Sequence, residues 1–198
     1  MKKIFLLYFI IPALSFANNS ETITKKIEQK IIKQEKIKNW RMEDRYSVYG
    51  DIKTNYFIAS IISDKNDLKL QISCRLIDGS NLSKKEKEGS LKIEVNNFND
   101  NFILENQYIY FIFNKNYENI FASPRIIKNN EKISFDKKTL IISTEKNMHY
   151  QLANKIALNK NLIIKYKTDK NIEKNISFNL DGAYQAISYL GNKCFKIK

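Results

Sequence analysis

The sequence predicts a mainly β domain: an antiparallel β-sandwich, or a barrel-like variant of it, with a helix at each end. Three observations lead to this fold class. Runs of alternating apolar and polar residues recur about eight times after residue 40, a spacing typical of sandwiches and barrels. A segment without Gly or Pro, with isoleucines four residues apart, precedes these runs. A segment of helical period follows them.

The strand runs are short and bounded by turn-forming residues. In 68–76, apolar and polar residues alternate strictly, and the turn cluster 64–67 joins this run to 55–63 as a hairpin. Residues 108–113 are continuously apolar, which suits a central strand. The predicted strands are 55–63, 68–76, 91–95, 108–113, 133–135, 139–143, 161–167 and 175–180.

Residues 20–38 predict an N-terminal helix, because Ile23, Ile27 and Ile31 recur at helical spacing. The apolar stripe is narrow, so three roles fit the helix: docking on the domain, binding a partner or membrane, or projecting as a solvated arm. Its basic residues form one candidate partner surface, namely Lys25, Lys26, Lys30 and Lys33.

A C-terminal helix is predicted after Asp181, whose carboxylate can cap the first turn. Gly191 is expected to end this helix, with Cys194 just beyond it. The apolar face predicted to pack on the sheet comprises Ala183, Ala186, Ile187 and Leu190.

Residues 1–17 have the parts of a cleavable signal peptide. A basic start precedes an apolar stretch, and small residues precede a cleavage site between Ala17 and Asn18. A membrane anchor is the alternative, but the apolar run is shorter than the about 20 residues a spanning helix needs. We therefore expect a bacterial periplasmic or secreted protein with a signal peptide (1–17), a helical arm (18–39) and one β domain (40–198).

Cys74 and Cys194 are the only cysteines, and export would place them where disulfides persist. Cys74 lies on the apolar face of its predicted strand, and docking of the C-terminal helix would bring Cys194 near it. We predict a disulfide that clamps the helix onto the sheet. A redox pair is the alternative, but the C-x-x-C spacing typical of redox catalysts is absent.

The chain is strongly basic, with a formal net charge of +13. Such a surface favours anionic partners, among which we expect lipid head groups or acidic glycans rather than nucleic acid. Only four of the basic residues are arginines, the side chain that recognises phosphate bidentately. General solubility and the bias of an AT-rich genome toward Lys are therefore a competing explanation for the charge.

The sequence contains no recognisable catalytic, cofactor or metal motif. His149 is the only histidine, no Ser lies in a G-x-S-x-G segment, and no Cys/His cluster occurs. We predict no catalytic residue and no cofactor. A small envelope hydrolase that uses His149 or a carboxylate pair is the alternative.

Two tyrosines form a further candidate partner surface. Tyr108 and Tyr110 are predicted to share one strand face, where they would form a stacking surface if that face were uncovered. We favour the alternative that both faces of this strand are covered. Trp40 is expected to anchor the start of the β region in the core.

Residues 178–194 (FNLDGAYQAISYLGNKC) resemble the F-x-L-x-G-x-x-x-A-hydrophobic-x-x-L-x-x-x-C ending of a group of small exported proteins. These are the invasion-associated locus B family and the TagO/VasI proteins associated with type VI secretion. The upstream order of Trp40, a strand and Cys74 is also similar, so the resemblance spans about residues 40–194. It implies a periplasmic or surface β-sandwich without a known catalytic centre, acting in envelope assembly, secretion or host contact.

The expected function is therefore that of a non-enzymatic exported envelope protein. It would bind a partner in secretion-system assembly or in host or envelope contact. Besides the hydrolase, the alternative is an electrostatic binder of anionic envelope polymers.

Overall fold

The computed structural model describes residues 30–49, 52–78, 90–103, 107–129, 132–142 and 146–194. Within these ranges the chain forms ten strands and two helices. The strands are β1 (Lys30–Ile37), β2 (Trp40–Tyr49), β3 (Ile52–Ile62), β4 (Leu68–Asp78), β5 (Ser90–Asn97), β6 (Gln107–Phe113), β7 (Asn116–Asn129), β8 (Lys132–Ile142), β9 (Asn161–Lys167) and β10 (Glu173–Asn179). The helices are α1 (Lys146–Leu158) and α2 (Ala183–Cys194).

All the described strands belong to one antiparallel sheet, in the order β1-β2-β3-β4-β5-β8-β7-β6-β9-β10. The mainly β, antiparallel prediction is confirmed, and β3 and β4 form the predicted hairpin. In β9 and β10 burial alternates with the period of two expected for a strand with one face in the core.

The sheet curls so that its early turns reach its last strand. In the β1–β2 turn, the Lys38 Nζ lies 2.8 Å from Asp181 Oδ1. In the β3–β4 turn, the Asp64 amide donates to the Ser177 carbonyl at 3.0 Å. The Asn179 amide in turn donates to Asp64 Oδ1 at 3.3 Å. These contacts connect the β1–β2 and β3–β4 turns to β10 and to the residues just after it.

The predicted N-terminal helix is wrong where the structure can be compared with it. Residues 30–37 form β1, whose backbone pairs with β2, and residues 20–29 lie outside the described ranges. The narrow isoleucine stripe offers a helix little area to bury, whereas pairing with β2 satisfies the backbone and suits β-branched residues.

Other elements were not predicted. β2, β7 and α1 have no counterpart in the sequence prediction. The predicted strands 133–135 and 139–143 are two parts of β8, as far as the described residues reach, which is Ile142. The buried residues of α1 do recur at helical spacing, at Leu152, Ala153 and Ile156. Trp40 is fully buried, as expected, at the first position of β2.

The C-terminal helix is confirmed, but its end is not where predicted. Ala183, Ala186 and Leu190 are buried on one face of α2, and Ile187 packs partly buried against the core. Gly191 does not stop the helix, which runs to Cys194. Cys194 lies four residues after Leu190 and extends the buried stripe by one turn, so the helix gains packing by continuing.

Position 182, just before α2, requires glycine. Its φ is +90°, a region that other residues rarely adopt. A Cβ at this position would lie 2.8 Å from the backbone oxygen of Ile37. The backbone ahead of the helix can therefore approach the β1–β2 turn only because residue 182 lacks a side chain. The carboxylate of Asp181, which was expected to cap the first turn of the helix, accepts a hydrogen bond from Lys38 Nζ.

The predicted disulfide is confirmed: Cys74 on β4 is bonded to Cys194, with a Cα–Cα distance of 6.4 Å across 120 residues of sequence. With this bond, α2 packs over β2, β3 and β4, while α1 packs on α2 and on β5. Tyr189 of α2 donates a hydrogen bond to the buried carboxylate of Asp44 on β2. We call the side of the sheet under the helices the covered face and the opposite side the open face.

Candidate functional site

The open face of β2–β5 forms a long depression. Its two adjoining parts have volumes of ≈ 850 Å³ and ≈ 750 Å³, and both are lined by Lys69 and Phe98. Because side chains alternate along each strand, most of the residues of β2–β5 that line it sit at every second position. We call this depression the basic groove. Its cations on β2, β4, β5 and β7 are Arg41, Arg45, Lys69, Arg75, Lys92 and Arg125.

All four arginines of the chain lie in the basic groove, although the chain has 34 basic residues in total. The amino-acid bias of an AT-rich genome accounts for scattered lysines. It does not account for the convergence of all four arginines on one face. With Lys36 at the rim, the groove has seven cations against the carboxylates of Glu35, Glu43, Asp64 and Glu94, an excess of three positive charges.

The first buried carboxylate of the groove belongs to Glu43, which is 4% exposed. Arg41 and Arg45 lie two residues before and after it, so all three side chains point to the open face. Arg41 Nε lies 2.7 Å from Glu43 Oε1, and Arg45 donates twice to Oε2. The carboxylate thus fixes the orientation of two guanidinium groups.

The second buried carboxylate belongs to Glu94, which is 2% exposed. Lys92 Nζ lies 2.8 Å from Glu94 Oε1, and Gln71 Nε2 donates a hydrogen bond to Glu94 Oε2 at 3.1 Å. Arg125 on β7 donates a hydrogen bond to Glu94 Oε1. Burial alone would raise the pKa of Glu94, but the hydrogen bonds from Arg125 and Lys92 outweigh it and hold the pKa below its usual value. Glu94 is therefore an anion at neutral pH that orients two cations.

Between these two clusters, β4 contributes cations without a carboxylate partner. Among the described residues, neither Lys69 nor Arg75 has a carboxylate within salt-bridge distance. Burial lowers the pKa of Lys69, which is partly withdrawn from water, whereas Arg75 is exposed. These two groups are available to an anion from outside the chain.

Tyr108 corrects the expectation that both faces of the aromatic strand are covered. Tyr108 is 59% exposed and contacts the ring of Phe121 edge-on, with the ring centroids 5.4 Å apart. Tyr110 is partly buried on the same side of β6. The helices lie over β2–β5, so this side of β6 receives no covering layer from them.

The candidate basic surface of the N-terminal segment is only partly described. Lys30 is the first residue of β1, and Lys33 is exposed with its Nζ 2.6 Å from Glu35 Oε1. The hydrogen bond to Glu35 raises the pKa of Lys33. Lys25, Lys26 and the predicted cleavage site at Ala17 and Asn18 lie outside the described residues, so the export signal stays a prediction.

His149 lies on α1, on the helix side of the sheet and not in the basic groove. Its Nε2 is 2.9 Å from the backbone oxygen of Ile142. Over the described ranges, no group of three or more His, Cys, Asp or Glu residues is arranged to hold a metal ion. No helix in these ranges is long and apolar enough to cross a membrane.

The sequence prediction missed the groove, although part of the signal was present. Arg41, Glu43 and Arg45 alternate along one strand, as do Lys92 and Glu94, a pattern typical of charges sharing one strand face. The pairing of Arg125 with Glu94 left no such signal, because it depends on the order of strands in the sheet.

No protein-family model, curated protein or solved structure matches this chain. The resemblance to the invasion-associated locus B family and to the TagO/VasI proteins therefore stays a prediction.

Proposed function

We propose that the protein is a non-enzymatic binding protein of the bacterial envelope that holds an anionic partner in the basic groove. The observation that carries this proposal is the convergence of all four arginines on one open face. Guanidinium groups bind carboxylate, sulfate and phosphate through paired hydrogen bonds. A groove with an excess of positive charge also steers such partners toward it.

Preorganisation supports the same proposal. Burying a carboxylate is unfavourable unless it is paired, and the groove buries two of them. Glu43 and Glu94 each hold two cations in fixed positions, so less side-chain freedom is lost when a ligand arrives. Buried carboxylates that orient several cations are more typical of a binding site than of surface charges that only keep a protein soluble.

The cellular setting is part of the proposal. We propose that residues 1–17 export the protein to the periplasm or beyond, and that it serves secretion-system assembly or contact with the envelope or a host. The signal-like N-terminus and the resemblance of residues 178–194 support this setting. Detection of a mature chain that begins at Asn18 in periplasmic extract would test the export step, and a full-length cytoplasmic chain would contradict it.

We also propose that the sheet adopts a barrel-like form of the sandwich class. The bonds of Asp64 to Ser177 and Asn179 support it, because they join the β3–β4 turn to the last strand. Amide hydrogen exchange gives the test. Slow exchange at Asp64 and Asn179 is expected, and exchange as fast as in an exposed loop would contradict a closed form.

Binding to a general polyanion tests the proposed function. The oxidised protein should bind labelled dextran sulfate and polyglutamate with an affinity that falls steeply with salt, and should not bind neutral dextran. Arg75→Gln removes an unpaired groove cation and should weaken binding about tenfold or more, the loss of one charge-assisted hydrogen bond. Lys170→Gln removes the same charge from the exposed β9–β10 turn and is the matched control.

Two results would contradict the proposed function. The first is that neither polyanion binds at low salt. The second is that Arg75→Gln and Lys170→Gln weaken binding equally, which would mean that net charge and not the groove attracts the polymer.

A further inference from the structure

β4 runs along the middle of the basic groove and presents four side chains to the open face. In order they are Lys69, Gln71, Ser73 and Arg75: a cation, an amide, a hydroxyl and a second cation. The pairing of β4 with β3 and β5 continues without a bulge through these residues. Six strand steps therefore separate Lys69 from Arg75, a span of about 20 Å.

The charged residues beside this row are already engaged. Glu43 binds both cations of β2, and Glu94 binds Lys92 of β5 and Arg125 of β7. Among the described cations on β2, β4, β5 and β7, those without a carboxylate partner therefore stand at the two ends of the β4 row. Lys36, which also has no described carboxylate partner, lies apart from the row at the rim on β1. Between them lie uncharged groups that can donate and accept hydrogen bonds.

An aromatic side chain accompanies each end of the row. Tyr56 pairs directly with Arg75 across β3 and β4 and is partly buried. Phe98 lines the groove together with Lys69 and is 46% exposed. Aromatic side chains that line a groove offer a flat apolar surface on which a ligand can pack.

Resting on the proposed function, we infer that the ligand is an acidic oligosaccharide that lies along β4 from Lys69 to Arg75. Its acidic groups meet the two cations, its hydroxyls meet Gln71 and Ser73, and the C–H faces of its rings pack on Tyr56 and Phe98. The acidic group is a carboxylate or a sulfate or phosphate ester, since guanidinium and ammonium groups bind each of these.

The row fits other linear polyanions less well. Single-stranded nucleic acid has a phosphate at every nucleotide, and such binders track the backbone with cations throughout. The β4 row has cations only at its ends. A peptide of Asp and Glu would use the cations, but its side chains have no ring faces for Tyr56 and Phe98 and no hydroxyls for Gln71 and Ser73.

A length series of acidic oligosaccharides tests the inference. Oligogalacturonates supply carboxylates, heparin-derived oligosaccharides supply sulfates, and neutral dextran oligomers are the uncharged control. Calorimetric titration of the oxidised protein should show that hexamers bind at least tenfold more tightly than dimers, because a dimer cannot reach both Lys69 and Arg75. Comparison of the two acidic series distinguishes a carboxylate ligand from a sulfate-type ligand.

Variants distinguish the contribution of the two cations at the ends of the row from the contribution of net charge. Lys69→Gln and Arg75→Gln should each weaken hexamer binding about tenfold, while Lys170→Gln changes it little. Phe98→Leu should weaken oligosaccharide binding several-fold but leave polyglutamate binding unchanged. Tyr117→Leu removes a ring that is 67% exposed on β7 and is the matched control for the aromatic variant.

The outcomes distinguish this inference from the proposed function. Polyglutamate binding at least as tight as oligosaccharide binding would overturn the inference in favour of an acidic peptide. Tighter binding of oligothymidylate would overturn it in favour of nucleic acid. Hexamer and dimer binding of equal strength would overturn the placement along β4. Failure of every anion to bind would overturn the proposed function itself.

Discussion

The two faces of strands β2–β5 use the same backbone but bury different side chains. The covered face buries aliphatic residues such as Ile72 and Ile93 against helix residues such as Leu190 of α2, each no more than 1% exposed. The open face buries the carboxylates of Glu43 and Glu94 under arginines and lysines. Apolar burial drives folding, whereas a buried ion pair contributes little net stability. The comparison indicates that the covered face holds the fold together and that the open face is shaped for binding.

Removal of the disulfide should distinguish the roles of the two faces most clearly, because it should change stability but not binding. The bond closes a loop of 120 residues, so Cys74→Ser with Cys194→Ser should lower the free energy of unfolding by about 2–5 kcal/mol. Urea unfolding measures this loss. At a temperature where the variant is still folded, its affinity for dextran sulfate should be unchanged. A folded variant that no longer binds would show that the faces are not independent.

Gly182→Ala should be the next largest change. The residue has φ +90°, and its added Cβ would meet the Ile37 carbonyl oxygen, so we expect a loss of about 1–3 kcal/mol in unfolding free energy. Gly191→Ala is the control with the opposite sign. Gly191 lies within α2, where alanine should stabilise the helix by about 0.5–1 kcal/mol. Equal effects of the two substitutions on the melting temperature would contradict this explanation.

Glu94→Gln tests the open face. Lys92 and Arg125 are partly exposed and can turn toward water, so we expect a loss of only about 1–2 kcal/mol in unfolding free energy. Because the pKa of Glu94 is lowered in the folded protein, its stabilising contribution is complete above the pKa of the unfolded chain. That contribution is lost as the pH falls through the folded pKa.

The difference between wild type and Glu94→Gln should therefore be largest near neutral pH and should disappear in acid. Thermal unfolding at a series of pH values measures it. A difference that grows as the pH falls would reverse the sign and contradict an ionised Glu94.

Lys69→Met should have the smallest effect on stability, and in the opposite direction. Burial lowers the pKa of Lys69, so the unfolded chain binds the proton more tightly than the folded protein. This group therefore makes the wild type more stable as the pH rises from the folded toward the unfolded pKa. The variant should lack that rise and gain no more than about 1 kcal/mol at neutral pH, while its polyanion binding weakens. A less stable variant would mean that Lys69 supports the fold.

Local patterns made part of this fold predictable. The hairpin of β3 and β4, the helix after Gly182 and the bond between Cys74 and Cys194 each follow from spacing that can be seen in the sequence. β1 was mistaken for a helix because isoleucines four residues apart satisfy both periods over a short segment. The groove was missed because Arg125 reaches Glu94 only when β8 pairs with β5 and β7 with β8, an order that no local pattern contains.

The contact between the β3–β4 turn and β10 has a consequence for self-association. An open sheet with two free edges can add strands at both and so grow into a fibre. Here the Ser177 carbonyl and the Asn179 amide of β10 are already bonded to Asp64, so that edge is partly occupied. β1 is the other edge, with Lys33, Glu35 and Lys36 exposed along it. Two copies that join through β1 use the same edge twice, so pairing through this edge ends at a dimer, and further growth would need the partly occupied edge of β10.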